Sequence, residues 1–168
     1  AGATVTRDFL TRRTAATPDR LAVVDAADGR KWRYRDLDQW TDAVATHLSG
    51  LAENPAERSI RVGTLLTPRP AFAVTFHAAM RRGWTVVGLH TRLEDELADR
   101  LARTDPDLLV CERETRAMAE ESDVPVVSVD NATAFDGNTD RTGPREPADT
   151  ETEAFDPGET AFVLFTSG

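Results

Sequence analysis

Short apolar runs alternate with longer amphipathic segments from residue 60 to residue 129, and this alternation restricts the possible folds more than any other feature. The apolar runs predict strands at 60–66, 84–89, 108–111 and 124–129. The segments between them predict helices at 68–82, 93–104 and 113–121. Strands and helices that alternate at this spacing build parallel sheets through right-handed crossovers. The sequence therefore predicts an α/β fold, mainly a parallel sheet flanked by helices.

The N-terminal part of the chain predicts a β-hairpin. A helix over 5–16 ends before Pro18, since proline cannot continue it. Strands at 21–25 and 31–34 then flank Ala27-Asp28-Gly29, a turn sequence typical of hairpins.

A long helix should follow this hairpin. Asp36 is predicted to cap its N-terminus, because an aspartate side chain accepts hydrogen bonds from the free N–H groups there. Residues at helical spacing give it one apolar face, formed by Leu37, Trp40, Val44, His47, Leu48 and Leu51.

Residues 130–158 interrupt the alternation. They are rich in Asp, Glu, Thr, Pro and Gly, and Phe135 and Phe155 are almost their only apolar side chains. Such a composition predicts an acidic, solvated surface loop within the domain, part of it disordered.

The charge balance excludes some classes of partner. There are 29 acidic residues against 20 basic ones, a net charge of −9, which argues against a nucleic-acid or anionic membrane surface. No apolar run is long enough to predict a membrane span. Lys31 is the one lysine, a bias typical of salt-loving archaea and also of GC-rich genomes. Cys111 is the one cysteine, which excludes an internal disulfide and fits a cytoplasmic protein.

The last eight residues carry the strongest functional signal. A buried-strand run, 161–165, is followed by Thr166, Ser167 and Gly168. A strand that ends in such residues often directs backbone N–H groups and hydroxyls at an anion. This pattern predicts a phosphate loop, with a plain strand-to-turn exit as the alternative.

Several segments, taken in order, resemble one family. They are Thr17-Pro18-Asp19-Arg20, the stretch 32–37, the helix–glycine–strand segment 78–90, and the segment 156–168, which resembles the approach to a Thr-Ser-Gly-Thr-Thr-Gly-x-Pro-Lys loop. Together they resemble the N-terminal part of the adenylate-forming superfamily, which includes acyl-CoA synthetases, luciferases and peptide-synthetase adenylation domains. The resemblance implies that 1–168 is the N-terminal portion of the large adenylation domain, cut inside the phosphate loop.

The stretch 89–97 narrows the resemblance. It is similar to the Leu-Asn-Thr-Arg-Leu-x-x-x-Glu-Leu of o-succinylbenzoate–CoA ligases of menaquinone synthesis, with His90 where asparagine is usual. Fatty or aryl acyl-CoA ligases and amino-acid adenylation domains are the alternatives within the superfamily. A non-catalytic α/β binding module with a chance Thr-Ser-Gly end is the alternative from another class.

The resemblance also implies a chemistry. An acid–thiol ligase forms an acyl-adenylate from ATP and a small carboxylic acid, and a thiol such as coenzyme A then displaces AMP. Thr166, Ser167 and Gly168 would contact the ATP phosphates, while the Mg²⁺ carboxylate and the catalytic lysine would lie downstream. We therefore expect no catalytic residue and no metal ligand within 1–168, and no activity from 1–168 alone.

For the histidines, the cysteine and the tryptophans, a structural role is favoured over a functional one. His47 and His77 are expected to pack on helices, whereas His90 closes a strand at the edge where ligand sites of parallel sheets gather. Cys111 is expected to be a small buried apolar residue. The tryptophans are expected to pack in the core or on the hairpin: Trp32, Trp40 and Trp84.

Overall fold

The N-terminal region forms a two-stranded hairpin, as predicted. The computed structural model of the protein describes residues 8–52, 59–89, 91–92, 94–139 and 162–164. Strand β1 (Leu21–Val24) pairs antiparallel with β2 (Lys31–Arg33). At the turn, the backbone of Gly29 has a positive φ, a left-handed conformation that glycine adopts without strain.

The predicted parallel sheet is confirmed. Its described strands are β3 (Arg61–Leu65), β4 (Thr85–Gly88), β5 (Leu108–Cys111), β6 (Val126–Ser128) and β7 (Phe162–Leu164). They lie in the order β6-β5-β3-β4-β7, and each neighbouring pair is parallel. All the carboxyl ends therefore meet at one edge of the sheet.

The helices flank this sheet. They are α1 (Phe9–Ala16), α2 (Tyr34–Ser49), α3 (Pro70–Arg81), α4 (Leu97–Thr104) and α5 (Arg116–Glu120). Short 3₁₀ turns occupy Glu94–Glu96, Arg113–Thr115 and Thr133–Phe135, so the helices predicted at 93–104 and 113–121 each begin with a 3₁₀ turn. Within the described ranges no helix is both long and apolar enough to cross a membrane.

The start of α2 corrects the predicted role of Asp36. The helix begins at Tyr34, three residues earlier than an N-cap at Asp36 would give, and Arg33 is its N-cap residue. Asp36 lies in the first turn, where its carboxylate accepts a hydrogen bond from the Arg33 backbone N–H at 2.8 Å. Leu51, predicted on the apolar face, is exposed because the helix ends at Ser49.

Alternate residues of the strands build two apolar clusters. Val62, Val86 and Val110 pack with the residues of α2 and α3 in the larger cluster. Val87 and Leu109, their neighbours along the strands, belong to the smaller cluster with α4 and α5. Side chains of a strand point alternately to its two faces, so this division matches a sheet covered on both sides. The three tryptophans lie in the larger cluster, as predicted.

A buried arginine joins the three N-terminal helices. Arg81 of α3 has only 3% of its side chain exposed and contacts three carboxylates: Asp8 at 2.8 Å, Asp38 at 2.5 Å and Asp42 at 2.6 Å. The Asp8 side chain also accepts a hydrogen bond from the Thr11 N–H at 3.0 Å and so caps α1. The ion cluster ties α1 and α2 to α3.

Residues 130–139 pack against the core, although a solvated loop was predicted from residue 130. Phe135 is buried, and it contacts His47 edge-to-face at a centroid distance of 6.4 Å. The indole N–H of Trp40 donates to the Ala134 carbonyl at 3.0 Å, and that of Trp32 donates to the Gly137 carbonyl at 3.1 Å. These two indole hydrogen bonds hold residues 130–139 against the core. Residues 140–158 lie outside the described residues, and there the acidic loop stays a prediction.

Candidate functional site

The carboxyl edge of the sheet has a point where the chain turns in opposite directions. The crossover after β3 leads to β4 on one side, and the connection after β5 leads to β6 on the other. A crevice opens between such strands, and in open parallel sheets ligands bind there. The residues that follow β3 and β5 are therefore the first candidates for a site.

A cleft of about 860 Å³ lies at this point. Its apolar walls come from the hairpin and from the beginning of α3, and they include Val23, Val24, Ala26, Ala27, Pro68, Pro70, Phe72 and Ala73. Its polar lining comes from residues after the strands: Asp25, Thr67, Arg69, Thr91, Glu112, Glu114 and Thr115. Volume and mixed lining are both typical of small-molecule sites.

Glu112 organises the polar side of the cleft. The residue is 3% exposed, and one carboxylate oxygen accepts from the Thr67 backbone N–H at 3.2 Å. The other oxygen accepts from the Thr67 hydroxyl at 3.0 Å and from Arg69 at 3.3 Å. The Thr115 hydroxyl donates to the Leu65 carbonyl at 2.7 Å and accepts from the Glu112 N–H at 3.2 Å. These bonds connect the end of β3 to the end of β5.

Arg69 connects the ends of β3 and β5 to the end of a third strand, β6. One terminal nitrogen contacts Glu112, and the other contacts Asp130 after β6 at 3.1 Å. The second oxygen of Asp130 accepts from the Arg113 backbone N–H at 2.7 Å. Partial burial works to lower the pKa of Arg69, but Asp130 and Glu112 outweigh it and raise that pKa. The guanidinium therefore stays charged at the cleft.

The predicted phosphate-loop residues cannot be compared with the structure directly. Thr166, Ser167 and Gly168 lie outside the described residues, as does His90. The strand that precedes the loop is described: β7 pairs in parallel with β4, with Val163 opposite Val87. Neighbouring strands lie about 4.8 Å apart, so the ends of β3 and β7 are separated by roughly 10 Å along the same edge.

The other titratable residues singled out from the sequence do not line the cleft. Burial lowers the pKa of His77, whose ring contacts Phe76. Cys111 is fully buried, as predicted, and burial raises its pKa to about 11. A thiol with that pKa is protonated at neutral pH and is a poor nucleophile. Among the described residues no group of three or more His, Cys, Asp or Glu side chains could hold a metal ion.

The sequence interpretation missed the polar residues of the cleft. Glu112 directly follows the buried strand β5, and Thr67 lies two residues beyond the end of the buried strand β3. These positions were the signal available in the sequence. Asp25 and Asp130 have similar positions, because Asp25 directly follows β1 and Asp130 lies two residues beyond the end of β6. In the structure Asp25 lines the cleft and Asp130 contacts Arg69.

The fold and this edge define a class: α/β proteins that bind ligands at the carboxyl ends of parallel strands. The model of the AMP-binding enzyme family matches residues 10–168, nearly the whole chain. The protein belongs to the AMP-binding enzyme family.

Individual relatives match most of this chain. Phosphinothricin tripeptide synthetase PhsC of Streptomyces viridochromogenes is 29% identical over 156 residues, which cover 90% of this chain and 13% of that synthetase. The crystal structure of VinN matches with a TM-score of 0.75 and 27% identity over 98% of this chain and 42% of VinN. VinN structures also exist with 3-methylaspartate and with L-aspartate.

A third relative concerns the resemblance of the stretch 89–97 to o-succinylbenzoate–CoA ligases. O-succinylbenzoate coenzyme A synthetase (MenE) from Bacillus subtilis, in complex with AMP, matches with a TM-score of 0.73 and 21% identity. The match covers 95% of this chain and 38% of MenE. At this identity it supports the fold. The chain thus spans less than half the length of each of these three relatives.

Proposed function

We propose that the full-length protein activates a carboxylic acid with ATP. The carboxylate attacks the α-phosphate and gives an acyl-adenylate and pyrophosphate, and a thiol then displaces AMP. The observation that carries this proposal is the family match over 10–168, which includes β7 and the Thr166-Ser167-Gly168 sequence after it. In support of this proposal, the described strand β7 ends at the same edge of the sheet as the cleft.

The proposed work of this chain is to hold phosphates. Thr166 and Ser167 supply hydroxyl and N–H donors to the ATP phosphates, and Gly168 lets the backbone come close because it has no Cβ. Mg²⁺ and coenzyme A belong to the proposed reaction, and the residues that hold them belong to later parts of the protein. Residues 1–168 alone should therefore not release pyrophosphate from ATP.

Three groups of carboxylic acid are candidates for the substrate. The stretch 89–97 favours o-succinylbenzoate and a role in menaquinone biosynthesis. The identities of 29% to PhsC and 27% to VinN favour an amino acid, because PhsC is a peptide synthetase and VinN binds aspartates. Fatty and aryl acids remain the third group to be tested.

ATP–pyrophosphate exchange by the full-length protein tests the proposal. The acids to compare are o-succinylbenzoate, the common amino acids, benzoate and a fatty acid. We expect exchange with one of these groups. The absence of exchange with every acid, in a protein that is folded and binds ATP, would overturn the proposed activity.

The variant Thr166→Val tests the phosphate loop within the same assay. It removes one donor to the phosphates while keeping the shape of the side chain, and loss of one such donor lowers rates by about 10²–10³. Adenylation should fall by that factor, while thioester formation from pre-formed acyl-adenylate should change much less. Equal loss in both halves would indicate a folding defect and not a phosphate contact.

A cytoplasmic, salt-adapted archaeal origin is part of the proposal and rests on composition. The protein has a net charge of −9, and its excess acidic side chains repel one another in the compact folded state. Salt screens this repulsion more strongly as its concentration rises, because the screening length shortens. The melting temperature should therefore rise from low to molar KCl. A flat or falling melting temperature would contradict salt adaptation.

A further inference from the structure

The hairpin wall of the cleft is an exposed apolar surface. Val24 of β1 is 49% exposed, and it lines the cleft together with Phe72 of α3. Among the described strands β1 pairs with β2 alone, so no described strand covers its second edge. Apolar surface with a polar rim marks an interaction site, and open strand edges are usually covered in native proteins. The hairpin therefore offers a surface that another segment can cover.

The charges of the lining restrict what this surface can bind. Among the described residues that line the cleft, Asp25, Glu112 and Glu114 are acidic and Arg69 alone is basic. Arg69 contacts the Glu112 carboxylate at 3.3 Å, so the charges of Asp25 and Glu114 remain in excess. This excess disfavours the anions of the proposed reaction, ATP and carboxylic acids, and favours an occupant with basic side chains.

The length of a related domain indicates where such an occupant can come from. The crystal structure of the N-terminal domain of FACL13 from Mycobacterium tuberculosis matches with a TM-score of 0.76 and 17% identity, over 97% of this chain and 42% of that chain. At this identity the likeness supports the fold. In a full-length protein of comparable size, more than half of the domain would lie outside residues 1–168 and would pack against them.

The path of the chain brings the following residues close to the cleft. The described strand β7 runs parallel to β4 and ends at the carboxyl edge of the sheet, where the cleft also lies. It is two strands away from β3, so the ends of these strands are separated by roughly 10 Å. An extended chain advances about 3.3 Å per residue. A few residues beyond Gly168 are therefore enough to reach the cleft without crossing the sheet.

We propose that a segment of the full-length protein beyond Gly168 docks in this cleft. Its apolar side chains pack against Val24 and Phe72. Basic side chains of the same segment pair with Asp25 and Glu114. Such docking would join two parts of one domain, whatever reaction the full-length protein catalyses.

Arg69 would hold the backbone of this segment. Its contacts with Glu112 and Asp130 each use one terminal nitrogen, whereas a guanidinium carries five N–H donors. A backbone carbonyl that becomes buried needs a donor. The remaining donors of Arg69 can satisfy a carbonyl of the docked segment without adding a charge to it.

Carboxyl footprinting of the full-length protein tests whether the cleft is covered. Glycine ethyl ester and a water-soluble carbodiimide label accessible carboxylates, and mass spectrometry locates each label. Glu114 and Glu120 are both exposed in the described structure, and Glu120 forms an ion pair on the surface of α5. Glu114 should react several-fold more slowly than Glu120. Equal rates would overturn the docking proposal.

Photo-crosslinking identifies what covers the cleft. The photoreactive p-benzoylphenylalanine replaces Ala27, which is exposed and lines the cleft. A control protein carries it in place of Ala102, which is exposed on α4. The Ala27 position should crosslink to residues beyond Gly168 of the same molecule, and the Ala102 position should not reach that segment. Crosslinks to a second copy or to another protein, or no crosslink, would overturn the proposal.

Neutral variants test for the basic side chains. Asp25→Asn removes the charge and keeps the oxygen that accepts from the Ala27 N–H at 2.9 Å. Asp28→Asn is the matched control, because Asp28 accepts from the Arg30 N–H at 2.9 Å on the same hairpin and lies outside the cleft lining. Asp25→Asn should raise the unfolding equilibrium constant of the full-length protein about 10-fold or more in urea, since hydrogen bonds between charged groups are strong. Asp28→Asn should change it little.

Glu114→Gln provides a second and independent test of the charge. Glu120→Gln, a change of the same chemistry on an exposed helix surface, is its matched control. Glu114→Gln should also destabilise the full-length protein, and Glu120→Gln should not. If both cleft variants are as stable as their controls, no basic side chain pairs with these carboxylates and that part of the proposal is wrong.

The outcomes separate docking from the proposed activity. If Glu114 is protected and the Ala27 position crosslinks beyond Gly168, while ATP–pyrophosphate exchange is absent, the docking stands and the activity is wrong. If exchange occurs and Glu114 reacts as fast as Glu120, the activity stands and the docking is wrong.

Discussion

Arginine meets aspartate and glutamate in two places of this protein, with opposite consequences. Arg81 is 3% exposed and contacts three carboxylates between helices α1, α2 and α3. Arg69 is 36% exposed and contacts two carboxylates at the carboxyl edge of the sheet, beside a cleft. The first guanidinium has no access to a ligand and can only hold helices together. The second keeps donors that face an open volume, so similar pairing chemistry gives a candidate binding group.

The largest effect should follow from removing the buried arginine. Arg81→Met leaves Asp8, Asp38 and Asp42 together without their cation. Loss of one partner from a buried ion cluster costs about 3–5 kcal/mol. Urea denaturation should show this loss in the free energy of unfolding. Arg103→Met, at an exposed ion pair, should change that free energy very little. A small loss in Arg81→Met would mean that the carboxylates take up protons at little cost.

A smaller effect should follow at the sheet edge from Glu112→Gln. The amide keeps one acceptor oxygen and replaces the other with a donor that faces the Thr67 or Arg69 donors. Leaving such a buried group unsatisfied costs about 1–3 kcal/mol. Hydrogen exchange of the Thr67 amide should accelerate in this variant and not in Glu120→Gln. An unchanged Thr67 amide would show that other contacts hold the loop.

The two regions differ in how far the sequence could predict them. The sheet was predictable because buried strands and amphipathic helices leave periodic patterns that depend on local sequence. The Arg81 cluster was not, since its partners Asp8 and Asp38 are 73 and 43 positions away. The Glu112–Thr67 pair likewise spans 45 positions and forms only when β3 and β5 pair. Residues 130–139 were misjudged because their packing depends on backbone carbonyls that accept from Trp32 and Trp40.

A pH dependence should arise on the helical side, from His77. Burial is the largest influence on its pKa and lowers it, with a smaller contribution from Arg81, while Asp8 opposes them. A histidine whose folded pKa is depressed stabilises the fold above its unfolded pKa, about 6.5, and this contribution falls as pH drops through the folded value. Stability should therefore decrease below about pH 6.5 in the unmodified chain and decrease less in His77→Gln.

Asp8 and Asp38 belong to the same helical side and change the profile only at lower pH. Burial works to raise the pKa of Asp8, but hydrogen bonds from Arg81 and Thr11 outweigh it and lower the pKa. Its contribution to stability is therefore lost in acid, below the range of His77. Burial raises the pKa of Asp38 despite Arg81, so its protonation works in the opposite direction. If the free energy of unfolding depends on mildly acidic pH in the same way in His77→Gln and in the unmodified chain, His77 is not the source of that pH dependence.

The smallest effect on stability should come from Arg69→Met, and this variant tests the comparison most directly. The Arg69 side chain is more than one third exposed, so solvent screens its ion pairs. Such pairs contribute about 0–1 kcal/mol. After the substitution Glu112 still accepts from the Thr67 N–H and hydroxyl, and Asp130 still accepts from the Arg113 N–H, so no carboxylate is left without a donor. Urea denaturation should place Arg69→Met within about 1 kcal/mol of the unmodified chain. If Arg69→Met instead destabilised the chain as much as Arg81→Met, Arg69 would be a structural residue like Arg81. Its loss would then lower the binding of every ligand together, and the distinction between the two arginines would fail.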